Sequence, residues 1–285
     1  IVSIACHLVT LDFLAFPLFY LNQFFYIVLW ILTLIRLVRY PMKVFSDLSN
    51  HRVGSGFLTI VAATNVLGSQ FVILQANETI ALYLWVLGLA LWFLLIYTLF
   101  TALTVKEEKP TLEDGINGGW LLFIVSTQSV PVLGMLIVSR FEAWQEMFTF
   151  SMLGFYLLGC MFYILIISLI MYRFLFFKIE AEEMNPSYWI NTGAVAITTL
   201  AGANILLRGH ASFLADFAPF IKGFTVFFWA AGTWWIPYLF IVGAWRHFYK
   251  HYPLTYHPVY WGLVFPMGMY TVATYRLAEV LSMDF

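Results

Sequence analysis

Long apolar stretches recur along the whole chain at the spacing of membrane-spanning helices. A helix needs about 20 mainly apolar residues to cross the hydrocarbon core of a bilayer, and runs of that length alternate here with short polar breaks. Because the breaks are too short to hold a soluble domain, residues 1–285 are predicted to form a single all-α integral membrane domain. Nine spans are predicted: Ile1–Leu11, Asn22–Tyr40, Gly54–Leu74, Ile80–Thr104, Gly118–Val138, Thr149–Leu175, Pro186–Leu206, Gly223–Trp245 and Pro258–Ser282.

The composition supports this class and argues against others. Apolar residues make up 62% of the chain, charged residues 10%, and the mean hydropathy is +0.86, whereas a soluble domain is about half apolar and about a quarter charged. A formal net charge of −1 gives no reason to expect nucleic acid as a partner, so the expected surroundings are membrane lipid. Cys6 and Cys160 lie far apart in apolar stretches and predict neither a disulfide framework nor a metal site.

The distribution of basic residues predicts the orientation of the spans. Ten lysines and arginines lie in the breaks after the even-numbered spans and three in the other breaks. Cytoplasmic loops carry such an excess, so we expect a multi-pass protein of the plasma membrane whose first visible helix starts from the cytoplasm. Ile1–Leu11 is interpreted as the second half of a helix whose beginning is missing, because it would rise only about 17 Å.

A second alternation concerns small and polar residues. Gly, Ser, Thr, Asn, Gln and Pro occupy 33 of 88 positions in spans three, five, seven and nine, but 18 of 94 positions in spans two, four, six and eight. Small residues let helices approach closely, and polar residues need partners or water inside a bilayer. Odd-numbered spans are therefore predicted to form an inner ring around a central pore, with even-numbered spans outside against lipid. The alternative is that these residues mark only tight helix packing.

The polar residues of spans three, five and seven cluster near mid-membrane, and these spans contain no Asp, Glu, Lys or Arg. A cation pore usually shows acidic rings and a proton relay needs titratable groups at depth, so the pattern favours an anion or a neutral solute. Helix breaks at Pro131 and Pro266 are expected to kink the pore helices and aim positive helix ends inward. The residues expected to line the route are Thr64, Asn65, Gln128, Asn191 and Thr198.

Arg276 lies near the external end of the ninth span and shares a helix face with Glu279, three residues later. One interpretation is an interfacial ion pair that holds the helix end. The other is that Arg276 raises the anion concentration at the pore mouth. The two interpretations are compatible.

Motifs for catalysis or for cofactors are missing from the sequence. There is no Gly-rich phosphate loop, HExxH or Gly-x-Ser-x-Gly. His247 and His251 have the i, i+4 spacing of metal ligands, but a third ligand is not apparent and two flanking cations oppose a metal ion. We therefore expect no enzyme activity, no cofactor and no metal. A membrane enzyme would need a titratable cluster at depth, and a seven-helix receptor would have fewer spans.

Three stretches resemble the tellurite-resistance/dicarboxylate transporter family, which includes bacterial TehA and the slow anion channel of plant guard cells. They are Gly56–Gly68 (GFLTIVAATNVLG), Asn185–Ala194 (NPSYWINTGA) and Tyr260–Gly268 (YWGLVFPMG). The resemblance covers nearly the whole chain. It implies ten helices in five hairpins, a central pore lined by odd helices in each subunit, and a homotrimer. The chain departs from this pattern because it lacks the first part of helix one and all of helix ten.

The resemblance also implies a pore gate. The family's pore is closed by a phenylalanine on the ninth helix, and Phe265, directly before Pro266, matches that position. The leading hypothesis is an anion channel, or a channel-like transporter of small inorganic or organic anions, gated by this ring. The alternative is a secondary carrier for C4-dicarboxylates such as malate, or for sulfite or tellurite.

Overall fold

The computed structural model describes residues 1–256 and 260–283, in which all regular structure is helical. The predicted all-α membrane class is confirmed. The helices that correspond to the nine predicted spans are numbered α1 to α9 in chain order. They are Val2–Leu8 (α1), Asp12–Arg39 (α2), Thr59–Gln75 (α3), Glu78–Val105 (α4), Leu122–Leu136 (α5), Gln145–Phe176 (α6), Ile190–Arg208 (α7), Leu214–Ala244 (α8) and Trp261–Leu281 (α9).

Short helical turns extend several of these helices. One or more turns of 3-10 helix precede α3, α5, α6 and α7, and a π-helical turn, Trp245–Tyr249, follows α8. Two short helices were not predicted: Pro41–Leu48 after α2 and Leu112–Gly115 after α4. They lie on the side of the protein where the even-numbered helices end and where most basic residues occur. We call this side the basic face.

Two predicted helix starts were wrong. Helix α2 begins at Asp12, ten residues before the predicted start, and α8 begins at Leu214, nine residues before it. Pro17 and Pro219 lie inside these helices. A proline so close to a helix start removes one backbone hydrogen bond, to the carbonyl four residues earlier, and the surrounding protein lets the helix extend past it.

Seven of the described helices, α2 to α8, are long and apolar enough to cross a bilayer. The two exceptions are at the ends of the sequence. Helix α1 has seven residues and is too short to span the bilayer, and α9 has 21 residues but is less apolar than the other seven. The structure is that of a multi-pass membrane protein.

The odd-numbered helices form a closed inner ring. Each packs on the next in the order α1, α3, α5, α7, α9, and α9 returns to α1. Each even-numbered helix packs outside the seam between two inner helices: α2 against α1 and α3, α4 against α3 and α5, α6 against α5 and α7, and α8 against α7 and α9. The hairpin order of the chain therefore produces the predicted arrangement of helices.

Burial separates the two rings clearly. In the most apolar part of α3, α5 and α7, 67%, 83% and 83% of the residues are buried, against 6%, 28%, 39% and 22% for α2, α4, α6 and α8. Large apolar side chains such as Phe13, Tyr83 and Phe150 are exposed on the outer helices. An outer surface of this kind suits contact with lipid, since a soluble protein would not expose so many such side chains.

A buried arginine ties the loops of the basic face to the inner ring. Arg173, near the end of α6, is 3% exposed. Its guanidinium donates to the backbone oxygen of Glu113 (2.9 Å), to the hydroxyl of Tyr188 (3.3 Å) and to the carboxylate of Glu183 (2.9 Å). Glu113 belongs to the Leu112–Gly115 helix, Tyr188 to the 3-10 turn before α7, and Glu183 to the loop between α6 and α7. One side chain therefore joins three segments.

Replacing Arg173 with Leu should destabilise the protein, because it leaves three acceptor groups without their donor. We expect a loss of about 2 kcal/mol, seen as a fall of about 5 °C in Tm for the purified protein in detergent. Lys178→Leu is the control, since the Lys178–Glu180 ion pair is fully exposed on the same loop and should not affect Tm. Equal Tm values for the two variants would contradict the assignment.

Candidate functional site

The centre of the inner ring contains a narrow cavity that all five odd-numbered helices line. Its volume of about 20 Å³ is room for about one water molecule. Nine of its twelve lining residues are apolar and three are polar: Ser69, Asn204 and Arg276. The complete lining is Ile1 and Ile4 of α1, Val66, Ser69 and Ile73 of α3, Val132 and Leu136 of α5, Leu200 and Asn204 of α7, and Met269, Val272 and Arg276 of α9.

Two of the three polar lining residues already have hydrogen-bond partners inside the ring. The Ser69 hydroxyl donates to the backbone oxygen of Asn65 (3.0 Å), and the Asn204 amide donates to that of Val132 (3.2 Å). The axial cavity is therefore largely apolar, and it is too small for a hydrated ion.

Arg276 connects this axial cavity to a larger one, of about 690 Å³, on the side opposite the basic face. We call the larger cavity the vestibule. Its guanidinium groups are those of Arg208 and Arg276, and its carboxylates are those of Glu142 and Glu279. Arg276 donates to Glu279 at 2.7 Å, so the predicted ion pair is present, and both residues line the vestibule.

Phe265 lies on α9 one helical turn from Met269, on the basic-face side of the axial cavity. Its ring packs against α7 at Gly193: a Cβ atom at Gly193 would lie 3.2 Å from the ring carbon Cε1 of Phe265 and 3.2 Å from Cγ of Pro266. The ring can approach the backbone of α7 this closely because residue 193 has no side chain.

The predicted lining residues of α3 point to neighbouring helices. Thr64 donates to the backbone oxygen of Ile60 (2.7 Å), so its contact with the Tyr26 hydroxyl of α2, at 2.8 Å, is one in which Tyr26 donates. Asn65 donates to the hydroxyl of Ser129 of α5 (2.9 Å). A Cβ atom at Gly88 of α4 would lie 2.5 Å from Oδ1 of Asn65, so this amide fills the junction of three helices.

Gln128 of α5 likewise points to an outer helix. Its amide nitrogen donates to the backbone oxygen of Tyr156 of α6 at 2.9 Å. The amide lies over Gly159 of α6, where a Cβ atom would be 2.4 Å from Nε2 of Gln128. Gln128 thus stabilises the packing between an inner and an outer helix. This agrees with the alternative interpretation, in which small and polar residues mark tight helix packing.

The two predicted lining residues of α7 are buried and differ in their partners. The Thr198 hydroxyl donates to the backbone oxygen of Ala194 (2.7 Å), one turn earlier. Asn191 is 2% exposed, and neither amide atom has a hydrogen-bond partner in the described part of the chain. Its amide lies close to the Tyr163 hydroxyl of the outer helix α6.

The predicted helix breaks at Pro131 and Pro266 are not observed, and a kink at either proline stays a prediction. Pro131 lies inside α5 and Pro266 inside α9, and both helices continue past the proline. Neither position presents a helix end to the centre of the ring. The sequence argument failed because a buried membrane helix can lose one backbone hydrogen bond and continue while neighbouring helices support it.

Sequence reasoning named Arg276 but missed the other residues that line the axial cavity. Ser69 and Asn204 stood in the polar clusters, but nothing in their type separates them from Thr64 or Asn65. Arg208 was counted only as a loop charge, although it lines the vestibule with Arg276. Helical periodicity could have grouped Leu200 with Asn204, since residues four apart share a face.

Comparison with known proteins supports a transport role for this helical ring. The sequence profile described as "SLAC1: Voltage-dependent anion channel" matches residues 1–285. The chain belongs to the SLAC1 family. This confirms the predicted resemblance, and together with transporter-named relatives it supports a role in membrane anion transport for this SLAC1-family protein.

Three relatives of this SLAC1-family chain carry names that state no substrate. An uncharacterized transporter of Methanocaldococcus jannaschii is 25% identical over 272 residues, or 95% of this chain and 78% of the relative. Another from the same organism is 24% identical over 267 residues, or 93% and 75%. An uncharacterized membrane protein of Mycobacterium tuberculosis is 39% identical over 115 residues, or 40% and 58%. The comparison with solved structures gave no significant match.

The position of Gln128 between helices can be tested through the glycine that makes room for it. Gly159→Val should push into the Gln128 amide and cost about 1–3 kcal/mol through overpacking. Gly154→Val is the matched control, because it lies on the same helix and a Cβ atom there meets nothing within 4 Å. Thermal unfolding should give a lower Tm for Gly159→Val. A Tm equal to that of the control would mean that the amide does not occupy this seam.

Proposed function

We propose that this protein conducts small anions passively along the axis of the inner ring and that the structure represents a closed state. One observation carries the proposal: a cavity lined by all five odd-numbered helices meets a wide, arginine-containing vestibule at Arg276. A route that ran between any two helices would not involve the whole ring. Membership of the SLAC1 family, whose profile is described as a voltage-dependent anion channel, also supports an anion route.

The charges around the axial cavity favour an anion over a cation. Arg276 is the charged residue among those described around the cavity, and no carboxylate lines it. A cation would meet a guanidinium at the entrance, without an acidic group deeper in the ring to compensate. An anion would meet the Arg276 guanidinium, which is paired with Glu279, at the entrance and a short apolar section beyond it.

We propose that Phe265 closes the route from the basic-face side. Its ring packs over Gly193, one turn from the axial cavity, and the lining next to it is apolar. An apolar constriction stops ions because it excludes the water that would hydrate them. Moving the ring would widen the passage without breaking a hydrogen bond or an ion pair, since a phenyl group forms neither.

The lining of the axial cavity favours a different set of ion-contacting residues from the one that the sequence suggested. We propose that Ser69, Asn204 and Arg276 contact the ion at the vestibule end. Thr64, Asn65 and Gln128 are then packing residues.

The remaining proposals rest on the family resemblance. The route would serve inorganic anions or carboxylates. The dicarboxylate carrier stays the alternative, because the vestibule contains two arginines that a dianion could bind, beside the carboxylates of Glu142 and Glu279. We further propose that the protein is a homotrimer with one route per subunit. It would lie in the plasma membrane with the basic face toward the cytoplasm.

Phe265→Ala should raise anion flux, because it removes the ring from the passage. If the ring adds about 1.4 kcal/mol to the barrier, the flux rises about tenfold. Currents across a planar bilayer under chloride, nitrate and malate gradients would measure this. Phe227→Ala is the control, since Phe227 is 52% exposed on the outer helix α8. A current that stays at the wild-type level in folded Phe265→Ala protein would remove the gate, and saturable uptake without current would favour the carrier.

Arg276→Gln should lower anion conductance in the Phe265→Ala background, because it removes the positive charge at the junction of the two cavities. The reduction should be larger in 10 mM than in 1 M salt, since the Debye length falls from about 30 Å to about 3 Å. Lys222→Gln on the outer helix α8 is the control cation. Conductance independent of Arg276 at both salt concentrations would argue against an anion route through the vestibule.

A further inference from the structure

A separate cavity, of about 590 Å³, lies at the basic face outside the inner ring. Four segments bound it: the 3-10 turn Pro186–Trp189 before α7, the last residues of α8, the π-helical turn Trp245–Tyr249, and the beginning of α9. Its walls are mainly apolar and aromatic, with side chains such as Trp189, Leu239, Phe240, Tyr260 and Leu263.

Arg246 is the buried charge in this cavity. It is 7% exposed, and its Nε atom has no hydrogen-bond partner in the described part of the chain. Its guanidinium lies over the ring of Tyr252, 4.3 Å from the ring centre. The lining residues that the structure describes include no Asp or Glu. A guanidinium buried among apolar groups without a counter-charge is costly, so an anionic ligand would be stabilising here.

The backbone around Arg246 is held in place by local hydrogen bonds. The backbone N–H of Tyr252 donates to the oxygen of Arg246 (3.1 Å), and His247 Nδ1 donates to the oxygen of Tyr252 (2.9 Å). The π-helical turn itself adds one residue to the helical repeat, a feature often found at functional sites. The arginine is thus positioned before any ligand binds.

We propose that this cavity binds an anionic phospholipid, with the phosphate on Arg246 and an acyl chain along the apolar wall. A guanidinium matches the geometry of phosphate oxygens, and basic pockets between membrane helices commonly hold anionic headgroups. The apolar wall favours a lipid over free phosphate, which has no apolar part to bury there.

The position of the cavity fits access from the bilayer. Phe248 and Leu254 line it and are 80% and 76% exposed, and Tyr249 and Tyr256 beside them are 73% and 76% exposed. Aromatic side chains in this setting are typical of the membrane–water interface. A lipid of the leaflet at the basic face can reach Arg246 from there without crossing the protein.

Binding can be measured on the purified protein in a neutral detergent through the rise in Tm on titration. The probes are dihexanoyl phosphatidylglycerol, dihexanoyl phosphatidylcholine and glycerol 3-phosphate. We expect saturable stabilisation by the first, and little by the zwitterionic lipid or by the free phosphate. Equal stabilisation by glycerol 3-phosphate would replace the lipid with a soluble phosphate, and equal stabilisation by phosphatidylcholine would overturn the role of charge.

Two pairs of variants locate the site. Arg246→Gln should weaken phosphatidylglycerol binding about tenfold, the loss expected for a charge-assisted hydrogen bond, whereas Lys250→Gln on the same face should not. Gly243→Leu should block the cavity while keeping the arginine, because Gly243 lines it and a Cβ atom there meets nothing within 4 Å.

Gly223→Leu is the control for the blocking variant, because it lies on the same helix with equally open space but outside the cavity. Wild-type affinity in Gly243→Leu would overturn the proposal even if Arg246→Gln failed to fold. The readout is binding, so its outcome does not depend on whether the axial route conducts anions.

Discussion

The structure depends on the cost of leaving polar groups unpaired inside a bilayer. Side chains that could have faced a central channel instead donate to groups on neighbouring helices: Gln128 to the Tyr156 carbonyl, and Asn65 to the Ser129 hydroxyl. Glycines on the outer helices make these contacts possible, since Gly88 leaves room for the Asn65 amide and Gly159 for the Gln128 amide. These hydrogen bonds join the inner helices to one another and to the outer ring, and the axis of the inner ring is left largely apolar.

The nine helices and the alternation of inner and outer helices could be predicted from the sequence, because both depend on summed composition over about 20 residues. The family could be predicted from three short stretches of sequence. The direction of a single polar side chain could not, because a helix with small and polar residues all round offers several possible faces. Thr64 and Ser69 lie on the same helix, yet Thr64 contacts α2 and Ser69 lines the axial cavity. Only the packing of neighbouring helices distinguishes them.

Charges near the ends of helices were equally hard to assign from the sequence. Arg246, Arg208 and Arg173 all appeared as loop cations that indicate orientation. In the structure Arg173 joins three segments, Arg208 lines the vestibule and Arg246 is buried in an apolar cavity. The position of each arginine depends on contacts between segments at least ten residues apart, or on a π-helical turn. Contacts and turns of this kind leave no periodic signal in the sequence.

The small volume of the axial cavity has a consequence for the resting membrane. A cell that keeps an electrical potential cannot tolerate a continuous file of water through an idle pathway, since protons would hop along it. Space for about one isolated water molecule cannot form such a file. The closed ring would therefore act as an insulator toward protons as well as toward larger ions, and many copies could reside in one membrane without dissipating its gradients.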